Sequence, residues 1–166
     1  MNSHNKPAQK AIHAKNQPME VVFHSAPCLS KSLQAVGFEM YAAQLSRGRL
    51  KGIFRLGGSR QLPVVSIQTN QDLLLQGNRS PGVLPLSLNT TDQLPVVRGK
   101  EIQHCSLHDF QTGLSDAFVQ LPAGAHIQVA LVSLTRFEQL ATTTVDHQTL
   151  EVIHRSNSAD LPPPEV

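Results

Sequence analysis

The stretch Tyr41–Gly82, YAAQLSRGRLKGIFRLGGSRQLPVVSIQTNQDLLLQGNRSPG, decides the fold. Apolar and polar residues alternate in short runs, and glycine-containing turns separate the runs, which is the period of strands rather than of helices. In Arg49–Leu56, residues Leu50, Gly52, Phe54 and Leu56 share one face while Arg49, Lys51, Ile53 and Arg55 share the other. A preceding strand is predicted over Phe38–Leu45, joined through Ser46, Arg47 and Gly48. A following one is predicted over Leu62–Thr69, after the turn at Gly57 and Gly58. Pro63 restricts that run to an edge strand or a strand start, because proline has no N–H for a ladder. Asp72–Gln76 is short and is flanked by Asn70, Gly77 and Asn78, which favours a further strand.

Outward from this block the same grammar continues. Leu84, Leu86 and Leu88 alternate with Val83, Pro85, Ser87 and Asn89, and further strands are predicted at Leu94–Val97, Glu101–Leu107, Ala117–Leu121 and Ala125–Ser133. A short helix is expected over Leu29–Val36, opened by a serine and closed by Gly37. The period changes again at Ser133, where Thr135 and Glu138 have capping-box spacing ahead of Leu140 and Ala141. The fold class expected is mainly β: a small antiparallel barrel or sandwich with one or two short helices, one of them after the barrel. Residues 1–20 read as a flexible lead-in, 21–142 as the β-domain with its closing helix, and 143–166 as a short helical stretch and tail.

With 166 residues the chain suits one domain with a real core. Apolar residues make up 40% and charged residues 16%, which describes a folded chain poor in charge rather than a disordered one. Trp is absent and there is one Tyr, so a base-stacking platform lacks material. A net charge of +2 is too small for a whole-protein electrostatic case for DNA or anionic membrane. No apolar run approaches the roughly 20 residues of a membrane helix, and a cytoplasmic protein is expected. Cys28 and Cys105 are far apart in the chain and form no Cys-x-x-Cys.

Charge is nevertheless uneven. No acid occurs between Glu39 and Asp72, whereas Arg47, Arg49, Lys51, Arg55 and Arg60 all do. These five residues read either as a solvated sheet face or as a contact face for an acidic partner or a phosphate. Eight histidines raise the question of a metal, but no His-x-His pair places two rings on one strand face, so no metal and no cofactor is expected. His126 follows a Pro-x-Gly turn, and the alternation of Ile127, Val129 and Leu131 turns it outward, where it reads as an exposed turn histidine. No Gly-x-Ser-x-Gly elbow or phosphate-binding glycine loop is present. What remains is an apolar barrel holding one small ligand among a few polar groups. With Leu50, Phe54, Leu84 and Leu86 inward, the ligand-binding candidates are Phe54, Gln68, Leu86 and His104.

Tyr41…Gln44-Leu45-Ser46-Arg47-Gly48-Arg49-Leu50-Lys51-Gly52, Thr69-Asn70-Gln71…Leu74…Gly77 and Pro81-Gly82 resemble the N-terminal, cupin-like sensing and dimerisation domain of AraC/XylS-type transcription regulators, of the ethanolamine-operon-regulator kind. Leu134–Leu140 is similar to the first helix after the barrel in that family. The resemblance implies a non-enzymatic domain that senses a small effector and forms a homodimer or pairs with a related regulator subunit. The family continues into paired helix-turn-helix units, and the residues after Ala141 are too few to supply them, so direct sequence-specific DNA reading is not expected from this stretch. Two other readings stand beside it: a structural barrel assembling with protein partners, and a metal-dependent cupin enzyme.

Overall fold

The computed structural model describes residues 18–78, 82–103, 106–108, 116–144, 146–156 and 158–160. Most of the lead-in, residues 1–17, lies outside them, as does Pro81 of the resemblance. Along the chain come β1 (Met19–Phe23), α1 (Ala26–Ala35), β2 (Glu39–Gln44), β3 (Gly52–Gly58), β4 (Pro63–Thr69), β5 (Leu73–Asn78), β6 (Val83–Asn89), β7 (Val96–Val97), β8 (Lys100–Glu101), β9 (Ser106–His108), β10 (Asp116–Leu121), β11 (His126–Ser133), α2 (Leu134–Thr144), α3 (His147–Ser156) and β12 (Ser158–Asp160). The strands form two antiparallel sheets, ordered β1-β3-β4-β11-β6-β9-β12 and β2-β5-β10-β7-β8. The mainly β reading holds, in its sandwich form.

The inner faces follow from strand pairing. Phe54 opposes Ile67, Ile67 opposes Ile127, and Ile127 opposes Asn89 across the first sheet. Leu75 opposes both Ala42 and Val119 in the second. Phe23, Phe54, Val65, Ile67, Leu73, Leu75, Leu121, Ile127 and Leu131 fill the space between the sheets. Burial of such side chains stabilises by about 1.5–3 kcal/mol each. α1 adds Leu29 and Leu33 to that core while lying against β2 and β1, the strands at corresponding edges of the two sheets. Its start is set by Ser25, whose side chain accepts from the Cys28 N–H, with Pro27 in the first turn. Its end is a Schellman arrangement: Gly37 has φ 92°, its N–H donates to Gln34 O, and the Phe38 N–H donates to Leu33 O at 3.0 Å. Midway along α1, the Ser30 hydroxyl donates to Ala26 O and accepts from the Ala42 N–H at 2.8 Å, closing part of the β2 edge.

Several expectations require correction. Leu84 and Leu86 do not share the Phe54 face; Pro85, Ser87 and Asn89 do, because Leu131, Val129 and Ile127 oppose them. The outward leucine Leu84 is still buried, since α2 lies against β6 and β11 on that side. Asn89 can turn inward because its carboxamide is fully used, donating to Thr91 O and Gln93 O and accepting from the Thr91 N–H. The helix α2 is capped by Ser133, whose Oγ accepts from the Arg136 N–H, and not by Thr135. Glu101–Leu107 is not one strand: β8 and β9 belong to different sheets. Within the stretch read as a tail, β12 pairs with β9. The three helices among the described residues match the short helix, the closing helix and the further helical stretch expected, the last two lying between β11 and β12.

Gly77 lies where β5 meets β2, and a Cβ there would overlap the Glu39 carbonyl and the Met40 Cα. By contrast, nothing lies within 4 Å of a Cβ built at Gly57. Gly77→Ala is expected to cost about 1–3 kcal/mol in denaturant unfolding, and Gly57→Ala to stay within about 0.5 kcal/mol; equal effects would contradict the packing described.

Candidate functional site

The outer face of the first sheet carries a polar array built from three adjacent strands. On β4, Ser66 and Gln68 point outward, and on β11 their cross-strand partners are Gln128 and His126. On β3, Arg55 opposes Ser66 and Ile53 opposes Gln68; on β1, Glu20 opposes Arg55. Same-face cross-strand neighbours have Cβ atoms about 4.5–5.5 Å apart, so these side chains form one continuous patch.

His126 is its centre. The Nε2 atom lies 2.7 Å from Ser66 Oγ and Nδ1 lies 3.0 Å from Thr90 Oγ1, just beyond the end of β6. Thr90 Oγ1 is also 3.0 Å from His126 O, and the Thr90 N–H donates to the same carbonyl. A hydroxyl has one proton, and a carbonyl can only accept. The assignment satisfying every contact therefore has Thr90 donating to His126 O and accepting from Nδ1–H, and in the neutral ring Nε2 then accepts the Ser66 proton. For the neutral ring these contacts select the tautomer with the proton on Nδ1. Burial pushes the His126 pKa below its ordinary 6.5, and the positive charge of Arg55 pushes it the same way. Arg55 is held by Glu20, with Nε 2.6 Å from Oε2.

The predicted site residues are dispersed. Phe54 has no exposed surface and belongs to the inter-sheet core. Gln68 is exposed beside His126, on the opposite side of the sheet from Phe54. Leu86 is on the outer face too, opposite Ala130, four residues along β11 from His126. His104 lies outside the described residues. The histidine at 126 points outward as alternation requires, yet it is half-buried at the start of a strand rather than exposed in a turn. Ser66 and Thr90 gave no signal: they lie 60 and 36 positions from His126, and neither belongs to a recognisable motif.

The basic residues also separate. Arg47, Arg49 and Lys51 are exposed in the connection before β3, Arg55 sits within it paired to Glu20, and Arg60 occupies the turn after it. Among the described residues, no three His, Cys, Asp or Glu side chains come together as a metal site. No helix there is long and apolar enough to cross a membrane, which says nothing of strands.

No protein-family model matches this chain, and no curated protein matches it. Among solved structures, the crystal structure of the AraC-like transcriptional activator CuxR aligns at 10% identity with a TM-score of 0.49, covering 80% of this chain and 52% of that one. The chain thus spans about half the length of that protein. A likeness at this level carries no argument about family or function.

His126 must charge more readily in the unfolded chain than in the fold. Its stabilising contribution is complete above pH 6.5 and is lost as pH falls through the lower folded-state value. The wild-type chain is expected to lose more stability than His126→Gln on acidification from about pH 7 to about pH 5. Urea unfolding at each pH measures the difference, and parallel losses would contradict it.

Proposed function

We propose that this chain is a non-enzymatic regulatory domain that binds a small effector on the outer face of its larger sheet and influences transcription through a partner subunit, with no metal or cofactor. The observation that carries the reading is the half-open array of Arg55, Ser66, Gln68, His126 and Gln128 on a sheet held rigid by strands on both sides. Convergent polar groups fixed by cross-strand pairing can orient a ligand without reorganising, which is what a sensor site requires. The inter-sheet space is a less suitable place, because Phe23, Phe54, Leu73 and Ile127 occupy it. The sequence resemblance to AraC/XylS-type sensing domains supports the regulatory reading; dimerisation with a second copy or a related subunit belongs to the same proposal.

A second reading has its own observation. Tyr41 is 67% exposed on the outer face of the smaller sheet, in one cross-strand row with Gln76 and Phe118. That row suits a protein contact, since exposed aromatics are favoured anchors at interfaces.

Thermal denaturation against a panel of small polar metabolites tests the first reading. A ligand at about 100 times its Kd is expected to stabilise the wild-type chain by about 2.7 kcal/mol. Gln68→Ala and Gln128→Ala should abolish most of that response while leaving the unliganded melt unchanged. A response that survives both variants would move the site elsewhere. Stoichiometric iron, manganese or zinc in the purified protein would favour the metal-enzyme reading instead.

A further inference from the structure

We propose that Ser66 is a base-activated nucleophile, and that the outer face of the larger sheet captures an acyl group from a small ester or thioester. The inference rests on the reading of this face as the effector site and names the chemical class of effector it would take.

Three features of the array converge on Ser66. Its Oγ lies 2.7 Å from His126 Nε2, within direct proton-transfer distance. The other ring nitrogen faces Thr90, whose hydroxyl is committed to the His126 carbonyl, so Nε2 is the ring atom free to take a proton. The same division of labour operates wherever a serine is paired with an oriented imidazole: one nitrogen is held and the other acts as base. Thr90 is here a positioning residue. The third feature is the pair of donors flanking the serine. Arg55 stands across β3 and Gln128 across β11, each the direct cross-strand neighbour of Ser66 on the same face. The Arg55 ε-nitrogen donates to Glu20, which anchors the guanidinium and leaves its two terminal nitrogens for charge that develops beside the serine.

The step balances with what is present. Ser66 Oγ attacks the acyl carbon while Nε2 removes the hydroxyl proton. The carbonyl electron pair moves to oxygen and returns as the C–O or C–S bond to the leaving group breaks. The alcohol or thiol departs with the proton from Nε2, and an ester on Ser66 remains. No oxidant, reductant or metal enters.

The groups facing His126 are Arg55 from β3, Ser66 and Gln68 from β4, Thr90 after β6, and Glu20 from β1 through its pair with Arg55. None of them is an acid in direct contact with the ring among the described residues. Acylation should therefore follow the neutral imidazole alone, rising with pH through a midpoint below the ordinary imidazole value of 6.5.

The test uses p-nitrophenyl acetate on the full chain, following nitrophenolate release and mapping the acetyl group by peptide mass spectrometry. The result expected is one acetyl group per chain on Ser66, formed about 100-fold more slowly in His126→Gln and not formed in Ser66→Ala. Thr90→Val should slow the reaction and displace its pH midpoint, which a merely structural threonine would not do. The wild-type map decides the matter without any variant: acetylation of lysines with none on Ser66 overturns the proposal, as does a rate on Ser66 that does not change with pH. Circular dichroism melts establish that each variant is folded. The thermal response of Ser66→Ala to non-acyl ligands separates the two readings. If that response persists while Ser66 stays unacylated, the effector face stands and the covalent step falls.

Discussion

The corner Thr69-Asn70-Gln71-Asp72 is the constraint on which the rest depends, because it is where the chain passes from the larger sheet to the smaller. An apolar core holds two sheets together but specifies weakly how they are aligned, since apolar contacts have no direction. Hydrogen bonds at the corner supply the direction. Thr69, almost fully buried, donates through its hydroxyl to Gln71 O and accepts from the Gln71 N–H. Asn70 accepts from the Lys51 N–H at 2.7 Å and donates to Arg49 O. Gln71 accepts from the Ser46 hydroxyl, and Ser46 Oγ in turn accepts from the Asp72 N–H. Asp72 reaches the turn before β11 by accepting from the Ala123 N–H, also at 2.7 Å. Three connections distant in sequence are thereby tied at one end of the sandwich.

Ser46-Arg47-Gly48 and Thr69-Asn70-Gln71 carry the family resemblance, and the structure shows that they bond to one another. Gly48 has φ 130°, and a Cβ there would press on the Gln71 carboxamide. Residues with such structural duties carry no information about a ligand. Arg47 and Arg49, which lie among them, are exposed in the connection before β3. The Arg49 carbonyl serves the corner as an acceptor for Asn70, while both side chains are exposed.

Strands were legible because alternation and glycine punctuation are local signals. Most predicted strands lie within a few residues of those found, and Pro63 begins its strand as expected. Facing was less legible. In β6 the leucines pointed to the wrong side, since α2 provides a second apolar environment outside the sheet and Asn89 meets its hydrogen-bonding needs inside it. Parity tells which residues share a face, but it cannot tell which face is inward when both are covered. The array around His126 was illegible for a different reason. Its members come from β1, β3, β4, β11 and the loop after β6, and the strand order β1-β3-β4-β11-β6 that joins them appears nowhere in local pattern.

The corner and the array are one mechanical unit. Thr69 donates its N–H to Ala125 O, and Gly124 returns an N–H to Thr69 O at 2.8 Å. Gln68 and His126 are the next residues on those two chains, and they oppose each other in the ladder. A shift of β4 by one residue would turn Ser66 and Gln68 into the core and break the contact with His126. The corner bonds oppose that shift at the site's own end of the strands. The loop carrying Thr90 is fixed from the other side, where Asn89 draws in Thr91 and Gln93 and the Thr91 hydroxyl accepts from the His126 N–H. The imidazole is thus located by backbone geometry on both flanks, and its side-chain bonds to Ser66 and Thr90 need little conformational ordering of their own. Groups held this way keep their alignment when water or a ligand exchanges on the open side, so the position of Ser66 Oγ relative to Nε2 is a property of the sheet rather than of the bound state.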